Sequence, residues 1–299
     1  MLDFVPRTHA ELAQAWPPTL DHISASSLKT FMRCPEQWRR RYCLGERAAP
    51  YAAAIQGRAD HAALQTNFAV KRDTGQDLPL DDVLTEFSEV FDREIEASGG
   101  PEEVDWGKDI TTPKERSKAA GQVKDAGVGL VRVYREQVCG YILPLEVEPE
   151  FALELEGLPV RVDGRLDLIA LDTHPLSDQG ELGSDKIIER KTQTRAKVSP
   201  ETRFQAQLYQ LAYKLPVHVH SSLKRTVPEV IWADPKQVIG YDQRKAQRIF
   251  EQAQKIVGAI GHCYQAYGPD QPWPGALTHD WSCNFCSWRP TCHWWPEEQ

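Results

Sequence analysis

The chain has 299 residues, of which 41% are hydrophobic and 26% are charged, and its formal net charge is −8. This length allows one large hydrophobic core or two modest ones, and nine Trp residues argue against a disordered protein. The net charge excludes a uniformly basic surface of the kind that coats polyanions non-specifically.

Two further classes are disfavoured by sequence pattern. The N-terminal sequence MLDFVPRTHAEL lacks the basic start and apolar run of a secretory signal, and no apolar stretch approaches the ~18 residues of a membrane helix. We therefore predict a cytoplasmic protein without membrane contact. The chain has seven Cys, an odd number, and without an export signal this favours metal binding over a disulfide framework.

The order of predicted elements indicates one α/β domain. Residues 1–20 are interpreted as an arm, and residues 21–299 as a single domain with a helical insertion over about 70–140. A helix is expected after a cap at Ser24 or Ser26. Further helices are predicted at about 52–70, 81–98, 114–137, 201–215 and 243–267, and strands at about 142–172 and 186–194.

Acidic and basic residues occur on two of these strands. Asp167 is predicted to lie mid-strand in GRLDLIALD, and Glu189 and Lys191 share one face of the strand IIERKT because they are two residues apart. The turn-rich loop 173–185 allows the two strands to pair as a hairpin. Carboxylates hold Mg²⁺ or Mn²⁺, which activate water and stabilise charge on a scissile phosphate. A solvated strand face is the simpler interpretation of these residues taken alone, and Asp163 is a rival ligand.

Four cysteines form a second candidate site. Cys283, Cys286 and Cys292 have C-x2-C-x5-C spacing, and Cys34 would supply a fourth thiolate that ties the two ends of the chain together. Four thiolates suit zinc or a 4Fe–4S cluster, and spacing does not choose between them. The site would comprise residues 279–299 with Cys34. The rival ligands are His262, Cys263, His279 and His293.

Taken together, these motifs resemble one family. HISASSLKTFMRCPEQWRRRY looks like the opening segment of RecB/AddB-type nucleases with an iron–sulfur cluster. These nucleases belong to the PD-(D/E)xK superfamily, as does the CRISPR-associated RecB-like exonuclease. GRADH, GRLD, ERK and QAQLY are similar to four further motifs of the family and occur in the same order. The resemblance runs from about 22 to 294 and implies a restriction-endonuclease-like fold, a mixed central sheet flanked by helices.

The resemblance also assigns roles to residues. It selects Asp167 over Asp163 and an iron–sulfur cluster over zinc. It implies that one or two Mg²⁺ or Mn²⁺ ions are held by His61, Asp167, Glu189 and the main-chain carbonyl of Arg190. It implies that Lys191 positions the attacking water, and that Gln205 and Tyr209 orient Lys191 or the DNA backbone. The implied cluster ligands are Cys34, Cys283, Cys286 and Cys292.

The function implied is that of a metal-dependent DNA exonuclease that leaves 5′-phosphates. No G-x-x-x-x-G-K-(S/T) phosphate loop is present, so the nuclease is expected to act without its own ATP motor. Its expected role is recombination, repair or end-processing beside a strand-annealing protein, and an oligomer is compatible with this. Alternatives are spacer acquisition with CRISPR integration proteins, a DNA-binding protein that does not cut, and an iron–sulfur or zinc protein with a redox or sensing role.

The distribution of charge is compatible with a DNA partner. Residues 81–105 contain ten acidic residues and one basic residue, which account for the negative net charge. Residues 28–48 contain six basic and two acidic residues, and residues 185–197 contain five basic and two acidic residues. Phosphate contacts need local cations rather than a basic total, so a basic channel remains compatible with this sequence.

Overall fold

The computed structural model describes residues 16–18, 20–107, 109–154, 160–174, 184–276, 283 and 286–295. The helices are α1 Ala25–Arg33, α2 Pro35–Trp38, α3 Ala52–Thr74, α4 Leu80–Ala97, α5 Pro113–Gln137, α6 Pro200–Tyr213 and α7 Gln243–Tyr267. The strands are β1 His22–Ile23, β2 Ile142–Val147, β3 Glu150–Leu153, β4 Arg161–Arg165, β5 Leu168–Asp172, β6 Asp185–Gln193, β7 Val217–Leu223, β8 Glu229–Ile231 and β9 Val238–Ile239. Most of the predicted arm, most of the 173–185 loop and much of 279–299 lie outside the described residues.

A mixed sheet lies at the centre of the fold, with strand order β2-β5-β6-β7-β8 and with β9 also paired to β7. β6 and β7 run parallel, and the other neighbours are antiparallel. Leu168 of β5 lies opposite Ile188 of β6, which confirms the predicted hairpin. A second sheet has the order β1-β4-β3. The predicted α/β fold, a mixed sheet flanked by helices, is confirmed.

Local capping explains where two of the helices begin. The Ser24 side chain accepts a hydrogen bond from the backbone N–H of Ser27, and the Ser27 side chain caps Ser24 in return, so Ser24 rather than Ser26 begins α1. Thr112 and Glu115 form the same reciprocal arrangement at the start of α5. These caps satisfy backbone donors that a helix leaves unpaired in its first turn.

Three apolar cores surround the two sheets. Helices α3, α4 and α5 pack together on one side, where Phe68, Phe87 and Tyr134 are fully buried with Ile188 of β6. Helices α1, α6 and α7 form another core that includes Leu28, Leu208 and Val257. On the opposite face of β6, Ile187 packs in a third core with Ala206 of α6 and Val219 of β7.

A buried ion pair joins the N-terminal and C-terminal parts of the chain. The Glu36 carboxylate accepts hydrogen bonds from Arg39 Nε (2.8 Å) and Nη2 (2.7 Å), from Arg40 Nε (3.1 Å) and from the backbone N–H of Trp273 (2.7 Å). Beside it, the Trp38 and Trp273 rings stack with centroids 5.4 Å apart. These contacts fix α2 against the segment that leads to the late cysteines.

Candidate active site and four-cysteine site

Asp167 lies at a bend between β4 and β5, so the prediction that it lies mid-strand is wrong. The chain crosses from the three-stranded sheet to the central sheet at this point, and the change of pairing partner interrupts the strand. Asp167 Oδ2 accepts a hydrogen bond from the backbone N–H of Arg190 at 2.7 Å. Its Oδ1 lies 3.1 Å from His61 Nδ1, on α3. The bend therefore directs the carboxylate at both α3 and β6.

Glu189 and Lys191 lie on the same face of β6, as their spacing predicted. Lys191 Nζ is 2.5 Å from Glu189 Oε1. Glu189 Oε2 is buried and has no hydrogen-bond partner among the described residues. A buried carboxylate oxygen without a partner is costly, which is the environment expected when a cation or a bound ligand completes the site.

The two carboxylates titrate differently. Burial raises the pKa of Asp167, but His61, Arg190 and Lys191 outweigh burial and hold that pKa below its usual range. Burial, and then the charge of Asp167, raises the pKa of Glu189. Like charges at short range disfavour ionisation of both groups, and a divalent cation between them would relieve that repulsion.

Gln205 and Tyr209 lie one turn apart on α6, and the Gln205 amide donates to the Tyr209 hydroxyl. Burial and the charges of Glu189 and Asp167 raise the pKa of Tyr209, so its hydroxyl keeps its proton. Gln205 Oε1 also accepts a hydrogen bond from Lys29 Nζ of α1 at 2.8 Å. Sequence reasoning missed Lys29. Its only signal was its place in the basic segment 28–48.

Arg190 and Asp163 are the remaining candidate metal ligands, and they lie in different surroundings. The Arg190 side chain is buried on the α3 side of the sheet, where its Nη2 donates to the His61 carbonyl at 3.3 Å. Its own main-chain carbonyl stays a predicted ligand. The rival Asp163 lies on β4 in the other sheet, where both of its oxygens bind Arg161 at 2.6 and 2.8 Å. Asp167, not Asp163, therefore accompanies Glu189.

Within the described part of the chain, no group of three or more His, Cys, Asp or Glu side chains is arranged to hold a metal ion. Three of the four Asp167 and Glu189 oxygens face His61, Lys191 or the Arg190 backbone, which leaves one oxygen without a partner. The donor set of one imidazole and two carboxylates still fits Mg²⁺ or Mn²⁺ by type, and the orphaned oxygen supports that fit.

The four predicted cysteines line one small cavity of about 40 Å³, together with Gln37 and Trp294. Cys34 caps α2, where its sulfur accepts from the Gln37 backbone N–H at 3.5 Å, and the Gln37 amide lies 3.7 Å from Cys286 Sγ. Burial, and then Cys286 and Cys292, raises the pKa of Cys34. Of the rival ligands, His262, Cys263 and His293 do not line this cavity, and His279 lies outside the described residues.

Comparison with family models identifies the superfamily. The family model described as the PD-(D/E)XK nuclease superfamily matches residues 22–293. No curated protein matches the chain. A solved structure titled "Crystal structure of SSO0001" is similar at 15% identity and a TM-score of 0.37, over 96% of this chain and 94% of that one. None of the helices among the described residues is long and apolar enough to cross a membrane.

Proposed function

Because the chain belongs to the PD-(D/E)XK nuclease superfamily, we propose that it hydrolyses DNA phosphodiester bonds at the site formed by His61, Asp167, Glu189 and Lys191. The observation that carries this proposal is their convergence from α3, the β4–β5 bend and β6, with a buried Glu189 oxygen left without a partner. Four chemically matched side chains from three separate segments are poorly explained as a solvated strand face.

Mg²⁺ or Mn²⁺, the ions typical of this superfamily, would be held by His61, Asp167, Glu189 and the Arg190 carbonyl. When bound, such an ion lowers the pKa of water and stabilises negative charge on phosphate. Lys191 is held in place by Glu189, and its pKa is raised because Glu189 and Asp167 outweigh burial. It therefore presents a fixed ammonium to the attacking water or to a phosphate oxygen.

Water attacks phosphorus, the bond to the 3′ oxygen breaks, and the products are a 5′-phosphate and a 3′-hydroxyl. Gln205 links the site to Tyr209 and Lys29, so it limits the movement of α6 relative to α1 at the point where the DNA backbone would pass. Gln205 and Tyr209 therefore have positioning roles in the proposed reaction.

The test of hydrolysis is digestion of end-labelled DNA with Mg²⁺, with Mn²⁺ and with EDTA. Asp167→Asn should abolish metal-dependent product, whereas Asp185→Asn, at the far end of β6, should cut like wild type. Metal-independent cutting, or an Asp167→Asn variant as active as wild type, would refute the proposal.

We further propose that the enzyme is an exonuclease without its own motor, in recombination, repair or end-processing beside a strand-annealing protein. The resemblance to RecB/AddB-type nucleases supports this. An exonuclease degrades linear DNA and leaves a covalently closed circle of the same sequence intact, so the two substrates compared side by side decide the point. Loss of the circle at the linear rate would indicate endonuclease action.

For the four cysteines we propose a structural 4Fe–4S cluster. Their placement around one cavity supports a shared ligand, and the family resemblance favours iron over zinc. Anaerobically purified protein should be brown and contain iron and sulfide. Cys34→Ser should lose both, whereas Cys43→Ser, outside that cavity, should keep them. A colourless protein with stoichiometric zinc would refute the cluster.

A further inference from the structure

A groove of about 800 Å³ is lined by residues of α1 and α3, by the segment 46–51 and by the C-terminal end of α4. We call it the arginine groove, because four guanidinium groups line it: Arg33, Arg41, Arg47 and Arg58. Arg33 follows Lys29 by one helical turn on α1, and Arg58 precedes His61 by three residues on α3. Residues three or four apart share a helix face, so both walls of the groove continue towards active-site residues.

Most of the positive charge in the groove is not neutralised. Arg33, Arg41 and Arg47 form no ion pair within the described residues, whereas Arg58 pairs with Glu94 at 2.6 Å. Arg33 donates to the Gln37 amide oxygen, and the Arg41 guanidinium lies 5.6 Å from the Tyr42 ring centroid.

Three carboxylates also line the groove: Glu46, Glu94 and Glu103. Glu46 lies 3.6 Å from Arg40, and Glu94 is paired with Arg58. Glu103 is therefore the one carboxylate of the three without an ion pair in the described part of the chain. Three arginines and one glutamate of the groove are thus without an ion pair among the described residues, which leaves an excess of two positive charges.

Lys29 lies one turn before Arg33 on α1 and contacts Gln205 of the candidate active site. It is partly buried, and its one hydrogen bond among the described residues is to the neutral amide of Gln205. Burial, and then the charge of Lys191, lowers the pKa of Lys29 to about 8. Lys191 is paired with Glu189 at 2.5 Å, whereas Lys29 contacts only a neutral amide among the described residues, so Lys29 is the lysine available to a phosphate.

We propose that Lys29 and the arginine groove form a phosphate-binding track that holds the backbone of one DNA strand and leads it away from the active site. The ligand chemistry is a row of phosphodiesters, and guanidinium groups suit it because they donate in a fork to phosphate oxygens. This inference rests on the proposed function in taking DNA as the ligand. It adds the path of the strand, which the catalytic residues alone do not give.

The test is the salt dependence of binding to a labelled single-stranded oligonucleotide, measured by fluorescence anisotropy without added divalent cations. Each phosphate contact contributes about 0.7 to the slope of log K against log salt concentration for a single strand. An Arg33→Gln/Arg41→Gln double variant should therefore reduce the magnitude of this negative slope by roughly 1.4. The matched control is Arg72→Gln/Arg132→Gln, which removes two charges from the far end of α3 and from α5 and should leave the slope unchanged.

Lys29→Gln tests the inner end of the track: the slope should fall by about 0.7. Lys29→Arg should restore it. Equal slopes for the groove and control variants, or no binding of DNA by the wild type, would overturn the track. A wild type that cuts no DNA but shows the predicted fall in slope would retain the track and refute the nuclease. If the wild type cuts DNA normally but the groove and control variants have equal slopes, the nuclease is retained and the track is refuted.

Discussion

Glu36 is the residue through which the N-terminal helices hold the C-terminal segment, and replacing it by Ala should destabilise the fold strongly. The residue is 2% exposed, and Arg39, its main partner, is 6% exposed. Glu36→Ala removes a carboxylate that accepts four hydrogen bonds. It leaves the Arg39 guanidinium buried with a single described acceptor, the Pro269 carbonyl.

The size of the effect follows from burial. Removing one partner of a buried ion pair costs about 3–5 kcal/mol, because the remaining charge stays desolvated. For a chain of this size, 1 kcal/mol corresponds to roughly 2 °C in Tm, so Glu36→Ala should lower Tm by about 6–10 °C. Glu36→Gln should cost less, since an amide oxygen still accepts a hydrogen bond from a donor of Arg39 or from the Trp273 backbone.

Glu46→Ala is the matched control. Its side chain is 41% exposed and lies 3.6 Å from Arg40, so the pair is solvated and contributes less than about 1 kcal/mol. Thermal and urea unfolding of the variants, followed by circular dichroism, measure the difference. If Glu36→Ala and Glu46→Ala unfold within about 1 kcal/mol of each other, the buried network does not join the two ends of the chain as described.

Three further outcomes are expected. Gly127→Ala should lower the free energy of unfolding in urea by about 1–3 kcal/mol, because the added Cβ would lie 2.1 Å from Cζ of Phe87. A smaller residue at position 87 should restore stability, and a Gly127→Ala variant as stable as wild type would exclude this clash. Gly121→Ala, on the same helix with open space around it, should instead stabilise by roughly 0.5–1 kcal/mol. Tyr134→Phe should cost about 1–3 kcal/mol, since the hydroxyl lies 2.7 Å from Nδ1 of buried His220; an unfolding free energy equal to wild type would show that this bond contributes nothing.

Helical periodicity was sufficient to predict the long helices. The predicted 81–98 and 114–137 agree with α4 and α5 to within one residue at each end, and the apolar residues of 81–98 repeat with the helical period. Strand β7 was missed for a physical reason. All seven of its residues are buried, so the alternation of Val and His in VHVHSSL does not separate a buried face from an exposed one, and the His and Ser residues interrupt the continuous apolar run typical of a buried strand.

The candidate site was predictable in part. Glu189 and Lys191 share a face because strand geometry places residues two apart on one side. The position of Asp167 was not predictable from alternation, since GRLDLIALD contains the point where the chain leaves one sheet for another. Lys29 meets Gln205 across 176 positions of sequence, and no local pattern encodes a contact at that separation.

In the proposed reaction, Lys191 acts on the attacking water or on the reacting phosphate rather than only stabilising a strand. The most direct measurement is the single-turnover rate of DNA cleavage by Lys191→Ala at saturating enzyme, with DNA affinity and Tm measured on the same preparation. We predict a rate lowered by about 10²–10³-fold, as for loss of one preorganised charge-stabilising donor, with DNA affinity nearly unchanged and a Tm that remains above the assay temperature. A cleavage rate within about twofold of wild type, in a variant that binds DNA normally, would contradict it.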